Sequence, residues 1–348
     1  MKTKRFKTSF AGPGECRGSV TSKSLVLAGV LTAGLFAQQP VHAALTFSFN
    51  YIDPGTDFGF YDSTYGNDRK LALEAAANDL GSYFTAYNAH LTFDVTSENK
   101  PGTGILAGAG SGIDITPGGF RNTVVQEKIL SNGATDLNGT DADGYIGWNF
   151  SSDVKWDTSD SVASDSYDFK STAMHELLHA FGFTSSVDEG GKGANGNSPG
   201  TADAWNIFDK FLTDKNGDRL VDDSGVFDST KVGTLTGGTT DGVFFSGPNA
   251  MAANGGNRVN IYSPPTYSSG SSISHLDDDY FTSKALLMES ATLTGPGTRV
   301  LSDIELGILK DIGYSKVAPV PVPAAVWLMG SGLVALFGMA RRRRMAAA

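Results

Sequence analysis

Cysteine is almost absent from this chain: one residue, Cys16, occurs among 348. A single thiol excludes an intramolecular disulfide framework, a zinc ribbon and an iron–sulfur cluster, because each of these needs several cysteines. Cys16 also precedes an apolar run with which we expect it to be removed, so the mature chain is expected to carry no thiol.

Basic residues are scarce in the body of the chain. Of the 27 Lys and Arg, six precede residue 44 and four follow residue 318, which leaves 17 against 36 acidic residues in 44–318. A net charge of −19 on this body would repel phosphates, so we expect no nucleic-acid partner. The same charge weakly favours cationic substrates.

The first 43 residues have the pattern of a secretory signal peptide. A basic start at residues 2–7 precedes an apolar run at 25–37 and a small-residue cleavage site at 41–43. We therefore expect residues 1–43 to be removed and the rest of the chain to be exported.

The last segment, residues 319–348, is distinct in composition from the body. Pro319, Pro321 and Pro323 precede 17 uncharged, mostly apolar residues at 324–340, and four arginines follow at 341–344. As a transmembrane helix the apolar run would be about 26 Å long, slightly shorter than a hydrocarbon core of about 30 Å. One interpretation is an ordinary tail anchor with its arginines on the cytoplasmic side.

This segment, and most specifically its VPVPAAVWLMGSG portion, resembles the PEP-CTERM sorting signals of Gram-negative bacteria. The resemblance implies transient anchoring in the inner membrane, processing by a protease of the exosortase type, and transfer to the cell surface or the medium. Val322 stands where the usual motif has Glu. Under either interpretation the body, residues 44–318, faces the outside of the inner membrane.

Hydrophobic periodicity in the body mixes both secondary-structure patterns and predicts an α+β class. Strands are expected at 44–50, 90–95 and 144–150, and the Gly-rich stretch 101–119 as a β-loop excursion. Helices are expected at 67–87, 169–181 and 204–212, the second with Asp168 as N-cap and Gly182 at its left-handed end. Ser302 and Glu305 predict a capping box for a last helix that stops at Gly313.

A polar run after the predicted helix at 204–212 resembles the opening of a calcium-binding loop. It consists of Asp214, Asn216, Gly217 and Asp218. The later Glu that such a loop needs is missing, which favours a plain polar turn over a Ca²⁺ site. Ca²⁺ is therefore only an alternative second ion.

Residues 175–179 read HELLH on the predicted central helix. Positions i and i+4 share one helix face, so His175 and His179 can direct nitrogens at one Zn²⁺ about 2.0 to 2.1 Å away. Glu176 would lie beside the metal, where it could take a proton from an activated water and pass it to a leaving amine. The alternative is a core helix whose histidines only form hydrogen bonds, which leaves three ionisable side chains on one helix without an explanation.

A catalytic zinc site needs a third protein ligand. The short zincin pattern would place it six residues after the motif, but Ser185 stands there and a hydroxyl is a poor zinc ligand. His90 falls on the polar face of a predicted strand, where a solvated imidazole is expected. His275, in SISHLDDDYF, is the favoured third ligand, with Asp188 or Glu189 as the alternatives.

Three patches together resemble the catalytic domain of leishmanolysin-type metzincins: HELLHAFGF, then SHLDDDYF leading to LLM, then VLSDIELGILKDIGY. The resemblance covers about residues 140–315 and implies that His275 is the third ligand and that Met288 is the methionine of the turn beneath the metal. It also implies a zincin-like domain with a twisted mixed sheet, a long active-site helix and an irregular C-terminal subdomain. The chain departs from leishmanolysin in having no disulfides and in the 95 residues between His179 and His275.

The same resemblance makes GYIGWNF, at 144–150, the edge strand of the substrate cleft, where an extended peptide could pair through main-chain hydrogen bonds. The alternative for this stretch is an ordinary sheet strand. The chain also resembles the zinc peptidases found attached to PEP-CTERM tails.

Taken together, these patterns predict a secreted zinc-dependent endopeptidase acting on protein or peptide. The rival interpretations are a catalytically inactive zincin-like domain for surface or matrix adhesion, and a zinc hydrolase with a non-protein substrate.

Overall fold

The computed structural model describes residues 45–319. Over this range the strands are β1 (Thr46–Tyr51), β2 (His90–Glu98), β3 (Ala107–Gly110), β4 (Gly119–Arg121), β5 (Gly144–Asn149), β6 (Trp156–Asp157), β7 (Tyr167–Asp168), β8 (Ala204–Asn206), β9 (Leu212–Thr213), β10 (Val243–Phe245) and β11 (Val259–Ile261). The α-helices are α1 (Gly66–Gly81), α2 (Val124–Leu130), α3 (Phe169–Ala180), α4 (Gly238–Asp241), α5 (Pro248–Ala253) and α6 (Asp303–Asp311). The domain is therefore of mixed α+β class.

The largest sheet has four strands in the order β1-β2-β5-β3. β1, β2 and β5 run parallel, and β3 is antiparallel to β5, so the sheet is mixed. In β2 the side chains of Leu91, Phe93 and Val95 are fully buried while their neighbours are not, which confirms the predicted alternation. The central helix α3 packs against α1, β3 and β5.

The GYIGWNF stretch does not form the edge of this sheet. β5 pairs with β2 on one side and with β3 on the other, so the ordinary-strand interpretation is confirmed and the edge-strand expectation is wrong. The edge strands are β1 and β3, and β3 has the sequence AGAG. It lies within the Gly-rich stretch 101–119 that was expected as a β-loop excursion, although its small residues carry little strand propensity of their own.

Helix α1 is shorter than predicted. It spans Gly66–Gly81, and a 3-10 turn, Ser82–Phe84, replaces the expected continuation to residue 87. The apolar side chain of Leu71 lies outside the buried face and is 56% exposed. The buried face is rich in alanine, at Ala72, Ala76 and Ala77, and small side chains allow α1 to approach α3 closely.

Helix α3 begins and ends as predicted. The carboxylate of its N-cap, Asp168, accepts the Ser171 N–H at 3.0 Å. At the other end Gly182 has φ +98°, and the Phe183 N–H returns to the Leu178 carbonyl. The ring of Phe169 stacks on Trp148 of β5 with centroids 4.0 Å apart, which fixes the first turn of α3 on the sheet.

The chain after α3 consists mainly of short elements, and the predicted helix at 204–212 is wrong. β8 pairs in parallel with β4, the 3-10 turn Ile207–Phe211 follows, and β9 joins the sheet β11-β10-β9. The fully buried Trp205 donates its indole N–H to the Gly225 carbonyl at 2.8 Å. This tertiary pairing overrides the local helical spacing.

The last helix, α6, has both arms of the predicted capping box. The Ser302 hydroxyl accepts the Glu305 N–H, and the Glu305 carboxylate accepts the Ser302 N–H. Ile304, Ile308 and Leu309 are buried as expected. The helix is followed by Gly313 at φ +125°.

The predicted signal peptide, 1–43, and the sorting-signal helix, 324–340, lie outside the described residues. Among residues 45–319, no helix combines the length and apolar character needed to cross a bilayer. The boundaries of the body at 44 and 318 remain predictions.

A pair of glycine substitutions tests how tightly the end of α3 is specified. A Cβ on Gly182 would lie 2.7 Å from Gln126 Oε1, whereas nothing lies within 4 Å of a Cβ on Gly196, which also has positive φ. We expect Gly196→Ala to lower the free energy of unfolding by about 1 kcal/mol through backbone strain alone. Gly182→Ala should lower it by about 2 to 4 kcal/mol because Gln126 must also move. Denaturant unfolding measures both, and equal losses would contradict this account.

Candidate metal centre

Three imidazoles converge in the interior beside the sheet. The Nε2 atom of His175 lies 3.0 Å from that of His275 and 3.2 Å from that of His179, and the third Nε2 pair is 3.1 Å apart. His175 and His179 come from one turn of α3, and all three side chains are buried. The structure thus brings together the three histidines predicted as metal ligands. His275 follows His179 by 96 positions in the sequence.

The opposite nitrogen of each ring is held by a backbone carbonyl. His175 Nδ1 lies 2.7 Å from the Leu287 oxygen, His179 Nδ1 lies 2.8 Å from the Phe183 oxygen, and His275 Nδ1 lies 2.7 Å from the Ser271 oxygen. A carbonyl oxygen only accepts hydrogen bonds, so each Nδ1 must carry the proton and donate it. In a neutral imidazole the lone pair is then on Nε2.

Three Nε2 lone pairs therefore face one another at close range. Burial lowers the pKa of His175, lowers that of His179 to about 3, and lowers that of His275 well below its usual value. All three shifts favour the neutral form of the imidazole ring. A cation at their centre would relieve this repulsion.

The donor set fits zinc. Nitrogen ligands at 2.0 to 2.1 Å and at tetrahedral angles around Zn²⁺ are about 3.3 Å apart, close to the separations in this cluster. Three neutral imidazoles with one remaining coordination position are the ligand set of catalytic zinc sites. Carbonyl groups on the distal nitrogens are the usual means by which such ligands are oriented.

Glu176 lies on α3 between the two histidines and lines the same cleft. Burial raises the pKa of Glu176 to about 8, and the backbone N–H of Ala109 in β3 partly opposes the shift. A buried carboxyl group with a raised pKa can hold or release a proton near neutral pH. A nearby cation would favour its ionised form.

The segment around Met288 supports two of the histidines through its backbone. The Leu287 carbonyl accepts a hydrogen bond from His175 Nδ1. The Met288 carbonyl accepts one from the N–H of Leu276, the residue after His275, at 2.8 Å. The Met288 N–H donates to Glu305 at 2.8 Å, and the Met288 side chain is fully buried. Met288 therefore lies in a segment that contacts both parts of the chain that carry the clustered histidines.

His275 is fixed by strand-like pairing on two sides. Its carbonyl accepts the Tyr262 N–H, and Leu276 forms bridges to Ile261 at the end of β11 and to Glu289. Ile273, two residues before His275, has φ +69°, which turns the chain toward the histidine cluster.

The alternative ligands occupy other environments. Asp188 lines the cleft but accepts the N–H groups of Gly190 and Lys192 within its own turn, and Glu189 is exposed. His90 is exposed, and its ring contacts the hydroxyls of Thr46 and Ser48 on β1. The histidine cluster, whose ligand atoms lie within 4.8 Å of one another, contains none of these side chains.

The calcium-loop resemblance has a simpler explanation in the contacts of Asp214. Its carboxylate accepts the N–H groups of Asn216 and Asp218 and the ammonium of Lys231, the last at 2.7 Å. Lys231 thus supplies the positive charge next to this carboxylate. These are the contacts of a polar turn, the interpretation that the sequence favoured.

A cleft of about 910 Å³ gives access to the cluster. Its walls include β3 and the serine-rich segment 268–275, with Tyr167 and Tyr267. The sequence did not predict that β3 lines the cleft, that three backbone carbonyls accept hydrogen bonds from the ring nitrogens, or that Glu305 also accepts the Met288 N–H. Phe183 could have been inferred from the helix end at Gly182, but backbone carbonyls from distant segments leave no sequence signal.

Comparisons with protein-family models, with curated proteins and with solved structures found no match for this chain. The chemistry of the site is therefore inferred from its own residues.

Removal of single imidazoles tests the ligand set. We expect His275→Ala in the 348-residue chain to abolish retention of one zinc ion per chain, because two ligands and an emptied buried site bind weakly. His90→Ala should retain zinc, since that ring contacts only hydroxyls on β1. Metal content after gel filtration measures both. Equal retention in the two variants would show that His275 is not a ligand.

Proposed function

We propose that this chain is a secreted zinc-dependent endopeptidase of the metzincin type. The observation that carries the proposal is the convergence of three Nε2 lone pairs, 3.0 to 3.2 Å apart, beside the carboxyl group of Glu176 in an open cleft. His175, His179 and His275 would hold the ion, and Met288 would lie in the turn that underlies it.

The reaction would be hydrolysis of a peptide bond by water. His175, His179 and His275 would hold a zinc ion, which would supply Lewis acidity to lower the pKa of water and polarise a carbonyl group. Glu176 accepts one proton from the attacking water while the oxygen bonds to the carbonyl carbon. Glu176 then delivers that proton to the amide nitrogen as the C–N bond breaks, which yields a carboxylic acid and an amine.

Among residues 45–319, no strand pairs with the outer edge of β3, and this edge offers a place for an extended peptide. The Leu106 carbonyl accepts the Asn149 N–H from β5, and backbone groups in an antiparallel strand alternate in direction. Ala107 and Ala109 therefore turn their N–H and C=O groups away from β5, toward the cleft. A peptide that adds to this edge would pass the histidine cluster, because β3 packs against α3.

The export route is part of the same proposal and depends on the sequence alone. A signal peptide at 1–43 would direct the chain across the inner membrane. The segment 319–348 would anchor it transiently until a sorting protease of the exosortase type cuts it, which leaves the protease at the cell surface or in the medium.

Replacing the general base tests the enzymatic proposal. We expect Glu176→Gln to lower casein cleavage by at least about 100-fold, because proton transfer to and from the reacting atoms is lost. Its zinc content should equal that of the unsubstituted chain, since the ligands remain. Fluorescent casein hydrolysis and metal analysis on the same samples give both values.

The same assay separates the rival interpretations. Absence of zinc and of cleavage in the unsubstituted chain would favour the adhesion protein. Bound zinc without casein cleavage would favour a hydrolase with a non-protein substrate.

A proline in the edge strand tests where the substrate binds. Ala107→Pro removes an N–H that faces the cleft but none that pairs with β5, a position at which an edge strand tolerates proline. We expect kcat/KM for peptides to fall about tenfold, the effect of one hydrogen bond, with zinc content unchanged. Ala107→Val, which keeps the N–H, is the control for side-chain size. Equal kinetics in the two variants would argue against peptide pairing at this edge.

A further inference from the structure

Glu305 has a buried carboxylate with two distinct backbone contacts. Its side chain is fully buried at the start of α6. Oε2 accepts the Ser302 N–H at 2.7 Å, which completes the capping box, and Oε1 accepts the Met288 N–H at 2.8 Å. Helix capping requires the first contact but not the second.

The second contact belongs to a chain of hydrogen bonds that ends on His175. The Met288 N–H and the Leu287 C=O are the two ends of one peptide group. That carbonyl accepts the Nδ1 proton of His175 at 2.7 Å. Carboxylate, peptide group and imidazole are therefore connected in series, with every hydrogen bond pointing in the same direction.

The other two imidazoles have no such connection in the described part of the chain. The carbonyl that accepts the His275 hydrogen bond is that of Ser271. The N–H of the same peptide group, on Ser272, donates to the neutral Ser268 carbonyl. The carbonyl that accepts the His179 hydrogen bond is that of Phe183, in the turn after α3. His175 alone among the three connects through one peptide group to a carboxylate.

We propose that Glu305 is a positioning residue for His175, acting through the Leu287–Met288 peptide group to orient the imidazole and to raise the basicity of its Nε2. This inference rests on the proposed zinc site. Hydrogen bonds in series polarise one another, and a carboxylate behind a histidine ligand strengthens it as a donor. The peptide group here transmits the effect that a direct carboxylate–histidine contact would have.

The competing explanation is that Glu305 only caps α6, and a matched pair of variants separates the two roles. Glu305→Gln keeps the shape of the side chain and removes its charge, so the group can no longer accept both N–H donors. Ser302→Ala removes the hydroxyl that accepts the Glu305 N–H and leaves the Met288 contact in place. Both weaken the cap, but only the first breaks the connection to His175.

Two properties are measured in the 348-residue chain and in both variants. The first is zinc affinity, by chelator competition, and the second is the d–d absorption of the Co²⁺-substituted protein. We expect Glu305→Gln to bind zinc about 10 to 100 times more weakly and to shift the Co²⁺ bands. Ser302→Ala should match the unsubstituted chain in both, while its unfolding temperature falls by about 2 to 4 °C.

The outcomes distinguish this inference from the proposed function. Failure of the unsubstituted chain to bind zinc overturns both. Zinc binding by the unsubstituted chain, with Glu305→Gln within threefold of it and with the same Co²⁺ spectrum, overturns only the role of Glu305.

A measurement on the unsubstituted protein covers the case in which Glu305→Gln does not fold. In the ¹⁵N-labelled chain, zinc loading should move the Met288 amide proton downfield by more than that of Leu276, which donates to a neutral carbonyl beside the same site. Equal shifts in the two amide protons would overturn the proposal.

Discussion

Repulsion among three buried lone pairs is the constraint on which this structure depends. Each ring proton is committed to a backbone carbonyl, so the three Nε2 atoms can only face one another as acceptors at 3.0 to 3.2 Å. Buried polar groups are normally paired because an unpaired one costs free energy comparable to a lost hydrogen bond. A cation bound at the centre of the cluster, as we propose, would offset this cost. The fold around the cluster therefore serves to hold these acceptors in place.

That task explains why α3 is fixed at both ends by distant parts of the chain. At its start the Asp168 carboxylate accepts the Gly297 N–H and the guanidinium of Arg299, in addition to its own capping bond. At its end the hydroxyls of Thr123 and Tyr314 donate to the carbonyls of Ala180 and Phe181. These contacts satisfy groups that a helix end leaves free, and they prevent rotation of α3 about its axis. Rotation would move both histidines of the HELLH motif away from His275.

Local sequence predicted the parts of the site that one helix can specify. The HELLH spacing, the cap at Asp168 and the left-handed glycine after α3 are short-range patterns, and the structure has the helix that they predict. Pairing between strands that are distant in sequence determined the elements that the local patterns did not predict. The strand of small residues at Ala107–Gly110 exists because β5 pairs with it, and Trp205 lies in a strand because β4 does. His275 could be selected only by elimination and by resemblance, since a separation of 96 residues carries no periodicity.

The same separation gives the proposed ion a structural role in a body without cysteine. Residues 45–319 contain no thiol, so no disulfide can connect α3 to the segment that bears His275. An ion bound by His179 and His275 closes a loop of 96 residues. In a chain-entropy treatment, a cross-link that closes a loop of about 100 residues stabilises the folded state by on the order of 4 to 5 kcal/mol. Catalysis and stability would then depend on one ion, and its loss would release the inserted segment between the two histidines together with the activity.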